Sequence, residues 1–145
     1  MNKPVIEHLA VYKNHFYVVK INPIGFRTGY VRIINSAIYG KLKEEYEEKH
    51  ILPIKCHGGI NFIENISEDN GFLPPGNWIG FDCAHDGDLP DIEYAQKLFN
   101  LSKEEVSHAK QIFTNGQIRS VNYVINQCFD VIEELIKNYT DFLNK

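Results

Sequence analysis

From Val121 onward, Val121, Val124, Ile125, Cys128, Ile132, Leu135, Tyr139 and Phe142 recur at steps of three and four residues. That spacing lays one apolar stripe along an α-helix. Glu133, Glu134, Lys137 and Asn138 fall towards the other side. A long helix with one apolar face must bury that face, so the rest of the chain has to supply a surface that receives it.

The first half of the chain offers such a surface. Val5 to Tyr12 and His15 to Ile21 are rich in Val, Ile, Tyr and Phe. Only Lys13-Asn14 separates them, which predicts two strands joined by a tight turn. After the turn signal Asn22-Pro23-Ile24-Gly25, a third strand runs from Gly29 to Ile34 and is closed by Asn35-Ser36. Leu42 to Lys49 predicts an exposed helical turn or two, with Glu44, Glu45, Glu47 and Glu48 as a solvated face. Ile51 to Phe62 is β-like but contains Gly58-Gly59. Adjacent glycines in such a run are expected at a bulge, or where a ligand or another backbone comes close. Glu64 to Gly76 predicts a polar surface loop leading into a strand through Trp78.

Beyond Asp88, Ile92, Ala95, Leu98 and Phe99 predict a helix. Ser102-Lys103-Glu104-Glu105 resembles a capping box that opens another, running to about Phe113. The sum is a single α+β domain over residues 1–145. Its sheet is mainly antiparallel, with the long C-terminal helix and one or two further helices packed on one face.

Composition narrows the function classes. The 145 residues are 43% hydrophobic and 23% charged, with a net charge of −4. There is no global basic field to attract nucleic acid, and direct nucleic-acid binding is not expected. No stretch approaches the roughly 20 apolar residues that cross a bilayer, and the N-terminus lacks the pattern of a signal peptide. Three cysteines, Cys56, Cys83 and Cys128, are too few for a disulfide framework and fit reduced thiols in the cytoplasm.

Titratable residues concentrate in Trp78 to Asp88, a strand that empties into a turn. Alternation along the strand sends Asp82 opposite Phe81 and Cys83, so a core-facing Phe81 leaves Asp82 towards the other face or a cleft. The turn brings His85 and Asp88 to the strand end, and His57 is expected from a neighbouring strand. As acid/base groups, His57, Asp82, His85 and Asp88 are the candidate catalytic set. As metal ligands, two imidazoles and one or two carboxylates suit a divalent ion, although the spacing matches no familiar metal motif. Cys83 is read either as a nucleophile or as a small core residue. As a ligand pocket, His57, Gly58, Gly59, Trp78, Asp82, His85, Asp88 and Arg119 are the candidates. Trp78 or Tyr30 would stack on a ring, and Arg119 would pair with a phosphate or with one of the acids.

The combination of Gly29-Tyr30-Val31, Tyr39-Gly40-Lys41, His57-Gly58-Gly59, Gly80 to Asp88 and Arg119 with Tyr123-Val124 resembles a family of small proteins. They occur in bacteriophages, prophages and bacterial accessory regions. The resemblance covers about residues 29 to 135. Ser36-Ala37 stands where the family has His-Pro, Asn61 where it has Thr, and Gln127 where it has Glu. The resemblance implies an accessory protein in the host cytoplasm whose partner is a small nucleotide-like molecule or a host defence protein. Three functions stay open: sequestration of such a molecule, its hydrolysis in the manner of a phosphodiesterase, and a protein-binding inhibitor in which the His/Asp cluster is structural. Self-association is compatible with each.

Overall fold

The computed structural model describes residues 3–143, with side chains described as far as Tyr139. Strands β1 (Val5–Tyr12) and β2 (His15–Ile21) form the expected hairpin. Lys13 and Asn14 both take positive φ, 45° and 68°, the pattern of a two-residue turn whose twist matches its strands. β3 (Arg27–Ile33), β4 (Phe62–Ile66) and β5 (Gly76–Asp82) complete a five-stranded antiparallel sheet of order β1-β2-β3-β5-β4. Among the described residues four helices follow the strands in the chain or separate them: α1 (Ser36–Lys49), α2 (Ile92–Phe99), α3 (Lys103–Ile112) and α4 (Val121–Leu143). No described helix is long and apolar enough to cross a membrane.

The α4 stripe lies where its periodicity requires. Val124, Cys128, Val131, Ile132 and Leu135 pack on Tyr17, Val19, Val31, Ile79 and Phe81 of the sheet and on Cys83 just beyond β5, beside Ile38, Tyr39 and Leu42 of α1. Each fully buried aliphatic side chain contributes about 1.5–3 kcal/mol. Gly29 makes the close approach possible, since a Cβ there would sit 2.5 Å from the Phe81 ring and 2.9 Å from Cys128 Sγ. The side chain of Phe142, the last residue of the sequence stripe, lies outside the described side chains.

The opposite face of the sheet is buried too, without a helix. Val18, Tyr30, Ile66 and Trp78 are closed over by Phe72 and Leu73 from the 67–75 loop. Lys20 is buried beneath that loop, its ammonium donating to the Phe72 carbonyl and lying 3.8 Å from the centre of the Phe72 ring. Trp78, 1% exposed, donates its indole N–H to Pro74 O at 2.8 Å.

Three local expectations change. α1 begins at Ser36 rather than Leu42, because Asn35 ends the strand and also caps the helix, its side chain accepting from Ile38 N at 3.0 Å. Glu64 to Ile66 belong to β4 instead of a loop, because β5 offers its second edge there. His57-Gly58-Gly59 is a turn, closed by Gly59 N donating to Cys56 O at 3.0 Å, and not part of a strand. The capping box of α3 is formed on both sides, Ser102 with Glu105.

One interior ion-pair cluster ties the sheet to the start of α4. A register shift in β1 between Ile6 and His8 turns Glu7 towards Arg27, whose Nε donates to Glu7 Oε1 at 2.7 Å. Arg27 also reaches Asp91 Oδ2 at 3.0 Å and the carbonyl oxygen of Arg119 at 3.0 Å.

Candidate functional site

Two turns and the head of α4 meet at one end of the sheet. The first turn carries His57 and Gly58. The second follows β5, where Asp88 N donates to His85 O at 2.9 Å and Gly87 takes φ +89°. It leads into β6 (Asp88–Leu89), which pairs in parallel with β7 (Gln117–Ile118) and so brings Arg119 beside Asp88.

Asp88 is the hub. Its side chain is 0% exposed, and its two oxygens accept three hydrogen bonds. Oδ2 takes His57 Nε2 at 2.7 Å and His85 N at 3.0 Å, and Oδ1 takes Arg119 Nε at 2.8 Å. Burial alone would raise the Asp88 carboxyl. The bonds from Arg119, the His85 backbone and His57 outweigh it, and the group lies below its ordinary value.

An ionised Asp88 fixes the tautomer of its neighbour. His57 Nε2 must carry the proton it donates, so in neutral His57 Nδ1 is an acceptor. The Tyr123 hydroxyl lies 2.7 Å from Nδ1 and is therefore the donor. The result is a phenol–imidazole–carboxylate–guanidinium chain: Tyr123, His57, Asp88, Arg119. The backbone N–H of His57 is held as well, by Gln127 Oε1 at 2.7 Å. Arg119 donates a further bond to Gln117 at 3.0 Å, and its guanidinium lies 5.0 Å from the centre of the Tyr123 ring.

A second His–Asp pair lies outside this chain. His85 Nε2 is 3.0 Å from Asp82 Oδ1, with side chains 41% and 34% exposed. Asp82 also accepts from Asn61 Nδ2 at 2.7 Å and Ala84 N at 3.2 Å. The rings of His57 and His85 are 6.0 Å apart. Gly58 is required between them: it has φ +70°, and a Cβ would fall 2.2 Å from His85 Nε2. The group close to Gly58 is thus the His85 side chain, neither a ligand nor another backbone, and among the described residues nothing lies within 4 Å of a Cβ placed at Gly59.

Beside His85 opens a cleft of about 540 Å³. Phe26, Ile112 and Phe113 line it on the apolar side, and His85, Asp86, Asp88 and Asn115 are among its polar lining. The Phe26 and Phe113 rings meet edge to face, 5.0 Å between centres.

The structure therefore brings together His57, Gly58, Asp82, His85, Asp88 and Arg119, with Gly59 completing the His57 turn. It separates Trp78 and Tyr30, whose rings are buried on the other face of the sheet. Neither offers a face to a ligand. Arg119 meets the acid and not a free anion. Cys83 is buried in the main core, and burial pushes its thiol up to about 12, as it does for Cys56, so neither is a thiolate nucleophile at neutral pH. The metal expectation does not fit this arrangement. Among the described residues no three His, Cys, Asp or Glu side chains converge as ligands, and each imidazole Nε2 already faces a carboxylate of a different pair.

Sequence reasoning did not assign Tyr123, Asn61 or Gln127 to the site. Tyr123 carried a signal in its motif position, four residues after Arg119. The cleft residues Phe113 and Asn115 carried none. Comparison with protein-family models, curated proteins and solved structures finds no match.

Proposed function

We propose that the protein binds a small nucleotide-like molecule in the cleft beside His85. The observation that carries this reading is a cleft with an aromatic wall and a polar wall, next to a rigid, internally neutralised His57–Asp88–Arg119 network. Its volume of about 540 Å³ suits a small organic ligand. The resemblance to phage accessory proteins fits sequestration of a host-defence signal of that class.

A second reading is hydrolysis, favoured by the solvent-accessible His85–Asp82 pair at the cleft. A carboxylate holding one imidazole nitrogen while the other remains available is the form of a general acid or base.

Incubation with a panel of cyclic nucleotides and ADP-ribose-like molecules, followed by heating, distinguishes the two. Release of intact ligand on heating supports sequestration, and new products before heating support hydrolysis. If no member of the panel is retained or consumed, both readings fall and the His/Asp network is structural.

A further inference from the structure

The groups that dominate the sequence motif are engaged with one another. His57 uses both ring nitrogens, Asp88 accepts three bonds, and Arg119 is divided between Asp88 and Gln117. By contrast, Asp86 is exposed at the cleft and takes part in none of the ion pairs or hydrogen bonds found among the described residues. Thr114 and Asn115 stand in the same position on the facing loop. The residues free to recognise a ligand are therefore neighbours of the motif and not the motif itself.

The chemistry of those neighbours selects the ligand's end. Asp86 is an acceptor at neutral pH and calls for a donor. Phe113 is half-buried, Ile112 is exposed, and with Phe26 they form an apolar wall suited to a flat ring. Among the described residues no Lys or Arg lines the cleft, so no permanent cation in it neutralises a phosphate.

Resting on the binding reading above, we infer that the cleft takes the base end of its ligand. An amine-bearing heterocycle lies against the Phe113 wall, its exocyclic amine donates to Asp86, and any phosphates remain in solvent. His57, Asp88 and Arg119 hold the turn that presents Asp86.

Calorimetric titration of the whole protein with adenosine, purine riboside, cytidine, pyrimidin-2-one riboside and ribose 5-phosphate tests this. Adenosine and cytidine should bind about tenfold more tightly than the two ribosides that lack the amine and carry no ring N–H in its place, the factor expected for one hydrogen bond to a charged group. Asp86→Ala, an exposed substitution that removes the acceptor and leaves the fold intact, should abolish that preference, and Phe113→Ala should weaken all four nucleosides. Ribose 5-phosphate should bind far more weakly than any of them. Equal affinity for the amine-bearing and amine-free members of both pairs overturns the inference while leaving the binding reading in place. Tight, salt-sensitive binding of ribose 5-phosphate does the same. Failure of every probe to bind also overturns the inference, and the binding reading is then decided by the nucleotide panel above.

Discussion

Replacing Asp88 by Asn changes one atom and one charge at the point where three donors converge. If the amide oxygen takes the Oδ2 position it still accepts from His57 and His85 N, but the amide nitrogen then faces Arg119 Nε, donor against donor. The reverse orientation opposes the His85 backbone N–H instead. Either way at least one charge-assisted bond is lost and a donor is left facing a donor, a cost of about 2–4 kcal/mol. For a chain of this length that lowers the melting temperature by roughly 6–12 °C. The loss should also depend on pH. Because the Asp88 carboxyl is depressed in the folded protein, its stabilisation is fully present above the ordinary carboxylate value and is lost as pH falls through the depressed one. The gap between wild type and Asp88→Asn in urea unfolding should therefore be constant near neutrality and shrink on acidification below the ordinary carboxylate value. A loss under about 0.5 kcal/mol at neutral pH, or a gap that widens in acid, would refute the hub described here.

Gly58→Ala places a Cβ against His85 and forces a residue with a side chain into φ +70°. It should cost about 1–2 kcal/mol and shift the His85 imidazole resonances, and unchanged resonances would show that the ring does not pack there. Tyr123→Phe removes the donor to His57 Nδ1 at a cost of about 1 kcal/mol. In the wild type, nitrogen-15 chemical shifts should report His57 as the Nε2-protonated tautomer, and an Nδ1-protonated ring contradicts the assignment. Val124→Asp puts an unpaired carboxylate at a fully buried position. Its cost is comparable to the whole stability of an ordinary domain, so circular dichroism should show an unfolded chain, and a normal melt would mean that the stripe is not core.

Periodic elements were legible because their signal is repeated many times over. The α4 stripe, the β1–β2 hairpin and the Ser102–Glu105 box each state their structure locally. The start of α1 was hidden because Asn35 serves equally as a strand-ending turn residue and as an N-cap, and only the position of the following chain distinguishes the two. The parallel β6–β7 contact has two residues on each side, too few for any pattern, yet it decides where Arg119 meets Asp88. Trp78 was misplaced for a different reason. Alternation along β5 correctly sends it away from Phe81, but nothing local reveals that the 67–75 loop closes over that face. At the site, the motif named the residues that hold the turn, whereas Phe113 and Asn115 come from a loop with no motif of its own.

The bonds that join the two turns of the site to each other and to the head of α4 cross long stretches of chain. Asp88 reaches 31 residues back to His57 and 31 forward to Arg119, His57 reaches 66 to Tyr123, and Arg27 reaches 92 to Arg119. Two of those partners stand at the head of α4, the helix that also fills the main core. The Asp82–Asp88 turn can form locally, but the Tyr123–His57–Asp88–Arg119 chain is complete only when the last helix docks. A survey of random substitutions scored by function alone should therefore return the buried stripe of α4 as readily as His57 or Asp88.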